Sequence, residues 1–130
     1  MFTPIISLVS ADARGEIYSI AFAEDQEFLL LHSTAGSVRG GHSHNVDEVV
    51  VMLRGSMEYH KRDDTRGTEW HMPLTSGQAS SNRAGVVHMG EFAEDSWLLE
   101  YKVNTKKGAW ANRDYAPWRQ KVRDGMEIRS

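Results

Sequence analysis

The chain contains no cysteine, so neither disulfides nor thiolate ligands contribute to its fold or its chemistry. That absence suits a cytoplasmic protein. No apolar run approaches the roughly 20 residues that a membrane span needs. The opening stretch, MFTPIISLVSADARGE, lacks a basic region followed by a long apolar core and a small-residue cleavage site. A secretory signal is therefore not expected. Neither sign of charge dominates: 15 Lys and Arg stand against 18 Asp and Glu, for a net charge of −3. The basic residues are dispersed, which argues against a nucleic-acid stripe or a polybasic membrane arm. Low-complexity segments and repeats in the range of about 20 to 50 residues are also missing.

What is present is a chain of 130 residues, the size of one domain spanning 1–130. At that length folding removes roughly two thirds of the accessible surface. Short runs rich in Val, Ile, Leu, Tyr, Phe and Trp recur at 16–22, 27–33, 47–53, 56–62, 68–74, 85–92 and 96–103. Clusters of Gly, Asp, Asn or Ser bound most of them, which is the pattern of an all-β sandwich or barrel. The charged stretch 61–68, containing Gly67, reads as a hairpin turn. Residues 116–125 are the one helical candidate, with Pro117 at a first position, Trp118 and Val122 four apart, and Gly125 placed to end it. The alternative for that stretch is a surface turn that covers one end of the barrel.

Six histidines are the unusual part of the composition. His42, His44 and Glu48 are all even-numbered, so on a single strand their side chains would share a face. A lone His-x-His in a β protein is a weak signal, and Glu48 on the same face strengthens it. Imidazole with carboxylate suits a borderline divalent ion such as Fe, Mn, Ni, Co, Cu or Zn. His88, in a later β-like run, could close the site from a neighbouring strand. Gly36, Gly40 and Gly41 let the backbone bend on entering the segment, and Gly55 lets it turn on leaving.

The punctuation around these residues carries a resemblance. Gly36, His42, His44, Glu48 and Gly55 fall at every fixed position of the first cupin motif, G-x5-H-x-H-x3,4-E-x6-G, over residues 36–55. Residues 77–92 are similar to the second motif, with Gly77, Gly85 and His88 in place. They depart from it at Arg83, where proline is usual, and at Phe92, where asparagine is usual. The resemblance implies a double-stranded β-helix, the cupin or jelly-roll barrel, holding one divalent transition metal on His42, His44, Glu48 and His88. Four protein ligands would leave one or two positions of the ion open, as in catalytic sites. A homodimer is also implied by the resemblance.

A narrower likeness joins Asp12, Arg14 and Gly15 to Arg39, Gly40, His42 and His44. This pattern resembles the sugar-nucleotide 3,4-ketoisomerase-like cupins. It implies Arg14 as a phosphate contact and His42 and His44 as acid–base groups. The chain departs from that pattern at 28–31, where Phe28, Leu29, Leu30 and Leu31 replace a catalytic tyrosine strand. Those enzymes also work without a metal, whereas this chain has the full ligand set.

Among the other residues, Arg83 is read either as an anion contact at the barrel mouth, with Arg14 and Arg39, or as a solvated loop residue. His60 and His71 read as partly exposed, and His32 remains open. Met52, Met57, Met72 and Met89 read as core. Trp70, Trp97, Tyr59, Tyr101 and Phe92 read as core or as pocket wall. Three functions follow. The first is an isomerase or epimerase of a sugar-like, anionic small molecule, with His42, His44 and Glu48 catalytic. The second is a mononuclear non-haem metal dioxygenase, and the third a non-catalytic metal or ligand binder.

Overall fold

The computed structural model describes residues 3–129, with side chains described as far as residue 125. Eleven strands and one helix follow in order: β1 Ile5–Asp12, β2 Gly15–Ala23, β3 Gln26–Ser33, β4 Val38–His44, β5 Glu48–Arg54, β6 Ser56–Asp63, β7 Thr68–Thr75, β8 Ala79–Asn82, β9 Val87–Phe92, β10 Ser96–Lys102, β11 Asn112–Asp114 and α1 Ala116–Arg129. Two antiparallel sheets face each other, a six-stranded one ordered β1-β2-β3-β10-β5-β8 and a five-stranded one ordered β11-β4-β9-β6-β7. After the β1–β3 meander the chain crosses between the sheets at every step except the β6–β7 hairpin, which is the jelly-roll arrangement expected from the sequence.

Period-two alternation explains the core between the sheets. One row crosses the six-stranded sheet as Ile17, Leu31, Leu98 and Met52, and Met57, Tyr59, Leu74 and Phe92 close the same apolar cluster. A second cluster lies under α1, where Trp118, Tyr115 and Val122 pack on Val38, Val87 and Met89. Trp118 also donates its indole N–H to Glu69 Oε1 at 2.8 Å. The segment 116–125 is therefore helical, but Gly125 does not end the helix, which continues to Arg129.

One local expectation is corrected. His42, His44 and Glu48 do not share a strand. The chain bends at 45–47, so the histidines lie on β4 in one sheet and Glu48 opens β5 in the other. The bend is pinned by Asp47, whose Oδ1 accepts the Ala84 N–H at 2.8 Å, and by the Asn45 N–H donated to the Ala111 carbonyl. The three side chains meet because the sheets face each other, not because their numbers are even.

Two glycines are required by the packing. At Gly41, with φ of 88°, an added Cβ would lie 2.8 to 3.0 Å from atoms of Arg119, so only glycine lets α1 dock on β4. Gly55, with φ of 109°, links β5 to β6, and an added Cβ would overlap Ser96 Oγ and sit 2.7 Å from Ser96 Cβ. Strained φ and overpacking each cost about 1 to 3 kcal/mol. Gly55→Val should therefore lower the unfolding free energy by about 3 kcal/mol or more in urea titrations. An unchanged denaturation midpoint would show that the turn accommodates a side chain.

Candidate metal centre

β4 and β9 pair so that His42 stands opposite His88, and alternation along β4 brings His44 to the same interior. The three rings lie 4.7 to 5.1 Å apart between centroids, and one nitrogen of each falls within 4.8 Å of the others. From the facing sheet Glu48, with no solvent exposure, brings Oε2 to 3.0 Å from His44 Nε2 and Oε1 to 3.2 Å from His88 Nε2.

The outer nitrogens of two rings are already engaged. His88 Nδ1 lies 3.1 Å from the Val86 carbonyl, which can only accept, so the proton sits on Nδ1 and the Nε2 lone pair points into the cluster. His44 Nδ1 meets Asn112 Oδ1 at 2.5 Å, leaving Nε2 buried without a hydrogen-bond partner. Orienting an imidazole through its far nitrogen is how proteins prepare a metal ligand. Burial, with the neighbouring imidazoles adding to it, pushes the His42 pKa down to about 3. Burial likewise pushes His88 down to about 4, against the pull of Glu48. Both rings are thus neutral and ready to ligate at pH 7. Burial alone would raise the pKa of Glu48, but the abutting His44 ring, His88 and Lys102 outweigh it and hold the carboxylate ionised. Three imidazoles beside one carboxylate make a donor set for a divalent transition metal.

Residues outside both motifs complete the site. Lys102 Nζ reaches Glu48 Oε2 at 2.5 Å and lies 4.3 Å over the Trp110 ring. Asn82 donates to Glu48 Oε1 at 3.3 Å and to the Tyr59 hydroxyl at 2.7 Å. Lys102 was legible in principle: the inward row of β10 runs Leu98, Glu100, Lys102, and an apolar row that turns charged marks a polar interior. Asn112 and Trp110 have no such signal, since nothing local relates them to a strand 68 residues away.

The centre opens into a cavity of about 520 Å³. Arg39 lines it and is 8% exposed, donating Nε to Ser33 Oγ at 2.6 Å and Nη2 to the His32 carbonyl at 3.1 Å. Among the described residues no carboxylate pairs with it. Arg14 also lines the cavity while pairing with Asp12 at 2.6 Å, and Arg119 and Arg123 reach it from α1. Arg83 is exposed after β8 and is not part of the wall. Tyr59 and Phe92 do line it, whereas Trp70 and Trp97 are exposed. His32 pairs with Glu16 at 2.8 Å and stacks on Trp97, away from the metal centre. His60 departs from the expected partial exposure: it is 7% exposed, against Glu91 at 2.9 Å.

No family model and no curated protein matches the chain. Solved structures do. The capsular polysaccharide assembling protein CapF from Staphylococcus aureus aligns with a TM-score of 0.70 over 88% of this chain at 13% identity. This is the cupin fold. A CapF crystal structure with the inhibitor 3-isopropenyl-tropolone aligns at 0.64 over 78% of this chain with 15% identity. Oxalate decarboxylase from Bacillus subtilis, in a structure concerned with its Mn(II) centres, aligns at 0.60 over 73% with 17% identity. The chain spans only 31 to 32% of these CapF chains and 26% of that decarboxylase chain. Among the described residues no helix is long and apolar enough to cross a membrane.

The lowered histidine pKa values fix a pH response. Unfolded imidazoles titrate near 6.5, so between about pH 6.5 and 4 the unfolded chain binds more protons than the folded one. The stability of metal-free protein should therefore fall as pH drops through that window, and these rings should add no slope above pH 7. Urea unfolding at several pH values measures this, and His42→Gln should flatten the slope. Equal stability at pH 7 and pH 5 would mean that the rings are not held neutral.

Proposed function

We propose that this cupin is a metal-dependent enzyme of isomerase or epimerase type, acting on an anionic, sugar-like small molecule. The observation that carries the reading is one cavity holding both the imidazole triad and the buried, unpaired guanidinium of Arg39. A buried charge without a counter-ion is costly, and such violations belong at functional sites. Arg39 precedes His42 by three positions on β4, at most about 10 Å along a strand. A substrate whose phosphate or carboxylate rests on Arg39 would lay a carbon one sugar length away against the histidines. Arg14 and the two arginines of α1 would surround the same charge.

His42, His44, His88 and Glu48 would hold the ion, which would supply Lewis acidity toward a substrate carbonyl. The protein supplies the proton traffic. Glu100 lies on the wall, where burial and then Glu48 raise its pKa to about 8. The buried Tyr59 phenol is pushed well above its usual value by burial. Both groups hold protons at pH 7 and can offer hydrogen bonds to an oxygen of a substrate lying beside them. The likeness to a capsular polysaccharide assembling protein supports a sugar substrate. A second reading, a metal dioxygenase of an apolar acid, is favoured by the aliphatic wall of Ile17, Leu29, Leu31, Val50 and Leu98. Oxygen consumption separates the two. A cytoplasmic setting belongs to the same proposal.

Metal-loaded protein screened against sugar nucleotides and small carboxylates by thermal shift should find an anionic ligand. Arg39→Met should then weaken its binding at least about tenfold with metal content unchanged. Equal binding by Arg39→Met would remove the anionic substrate.

The proposed partner is a second copy of the chain. All of β1 is exposed, with Ile6 at 69% and Leu8 at 60%, and it pairs only with β2. Leu8 continues an outward row of Tyr18, Leu30, Leu99 and Val51 across the sheet. An apolar edge strand of this kind is self-complementary about a two-fold axis. Light scattering should give a dimer, and Ile6→Lys with Leu8→Lys a monomer. A monomeric wild type would refute the pairing.

A further inference from the structure

The chemistry proposed above makes no use of Lys102, yet Lys102 is among the most constrained side chains of the site. It is 8% exposed, with its ammonium 2.5 Å from Glu48 Oε2. The Trp110 ring covers it at 4.3 Å, and that ring stands edge-on to His44 at 5.5 Å. Asn82 holds the other oxygen of Glu48 at 3.3 Å. The carboxylate assigned to the metal is thus neutralised from within the chain, and both its oxygens have partners. Pairing answers the cost of burying Glu48. It also places a fixed positive charge where a dication would have to bind, and like charges a few ångströms apart in a buried site repel strongly.

We propose that Lys102 competes with the metal ion for Glu48 and thereby sets which ions the site accepts. With Glu48 held by Lys102, the donors that remain fully available are the three clustered imidazole nitrogens of His42, His44 and His88. Such a set favours ions that bond strongly to nitrogen, Ni²⁺, Cu²⁺ and Zn²⁺, over the oxygen-seeking Mn²⁺. Removing the ammonium returns an unshared carboxylate and tilts the site toward Mn²⁺. Trp110 belongs to the same device, because its ring offers the ammonium a second attraction and keeps it in place. The inference rests on the metal reading of the triad.

The test uses demetallated wild type and Lys102→Met, each titrated with Mn²⁺ alone and with Ni²⁺ alone in competition with a chromophoric chelator. Lys102→Met should bind Mn²⁺ at least about tenfold tighter than wild type, with a smaller gain for Ni²⁺. Its metal-free form should melt lower, and its melting point should rise more on adding Mn²⁺. Lys102→Arg, which keeps the charge, should behave as wild type. A purely structural role would lower the melting point and leave the ratio of the two affinities where it was. Equal or weaker Mn²⁺ binding by Lys102→Met overturns the proposal while leaving the metal reading intact. No binding of either ion by wild type or variant overturns both. Should Lys102→Met fail to fold, Trp110→Leu replaces it: tighter Mn²⁺ binding supports the competition, and unchanged binding overturns it.

Discussion

Glu48 is a carboxylate with no exposure to solvent, and the interior of the barrel is arranged around that fact. An ionised group in such a place must be answered by nearby positive or donating groups. Here the answers come from Lys102 on β10 and Asn82 on β8, while the His44 and His88 rings abut the same carboxylate from the opposite sheet. These contacts tie β4, β5, β8, β9 and β10 together. The two sheets therefore meet at one end through polar groups, while Leu31, Met52, Met57 and Leu98 join them through apolar packing elsewhere. Stability and chemistry occupy adjoining layers of one interior.

Much of this was readable along the chain because the information was local. Short runs rich in β-branched, aliphatic and aromatic residues at 27–33 and 96–103 located β3 and β10, and the spacing of His42, His44 and Glu48 located the site. The reasoning behind that spacing was nonetheless wrong in one particular. Three even-numbered residues suggested one strand, whereas the Asn45–Asp47 bend divides them between sheets. A pattern can thus mark a site correctly while its geometry comes from tertiary structure. β1 escaped notice because all its residues are exposed and burial imposes no apolar alternation on them, and β8 and β11 because four and three residues carry too little periodicity. Lys102, Asn112 and Trp110 reach the centre through the folding of distant segments, which no window on the sequence contains.

The charges of the cavity are ordered rather than mixed. Lys102 and the triad lie at the Glu48 end, and Arg39 lies toward the β1–β2 turn beside Arg14. Glu100 stands between Arg39 and Lys102, which both act to lower its pKa, yet burial and Glu48 keep it a neutral acid at pH 7. A ligand entering this space meets the guanidinium of Arg39 at one end and the imidazoles beside the Lys102–Glu48 pair at the other. Under the proposed function, that asymmetry sets which way round an anionic substrate lies, the orientation that proton transfer at one carbon needs.

The hydrogen bond between His44 and Asn112 spans 68 residues. β11 has three residues and, among the described residues, pairs with β4 alone, so the ring of a β4 histidine takes its orientation from a late segment of the chain. During synthesis, β4 through β10 have all been made before Asn112 exists. A nascent chain would hold three imidazoles near one another with His44 still free to rotate. Its grip on an ion would come last, when the final strand zips onto the sheet edge.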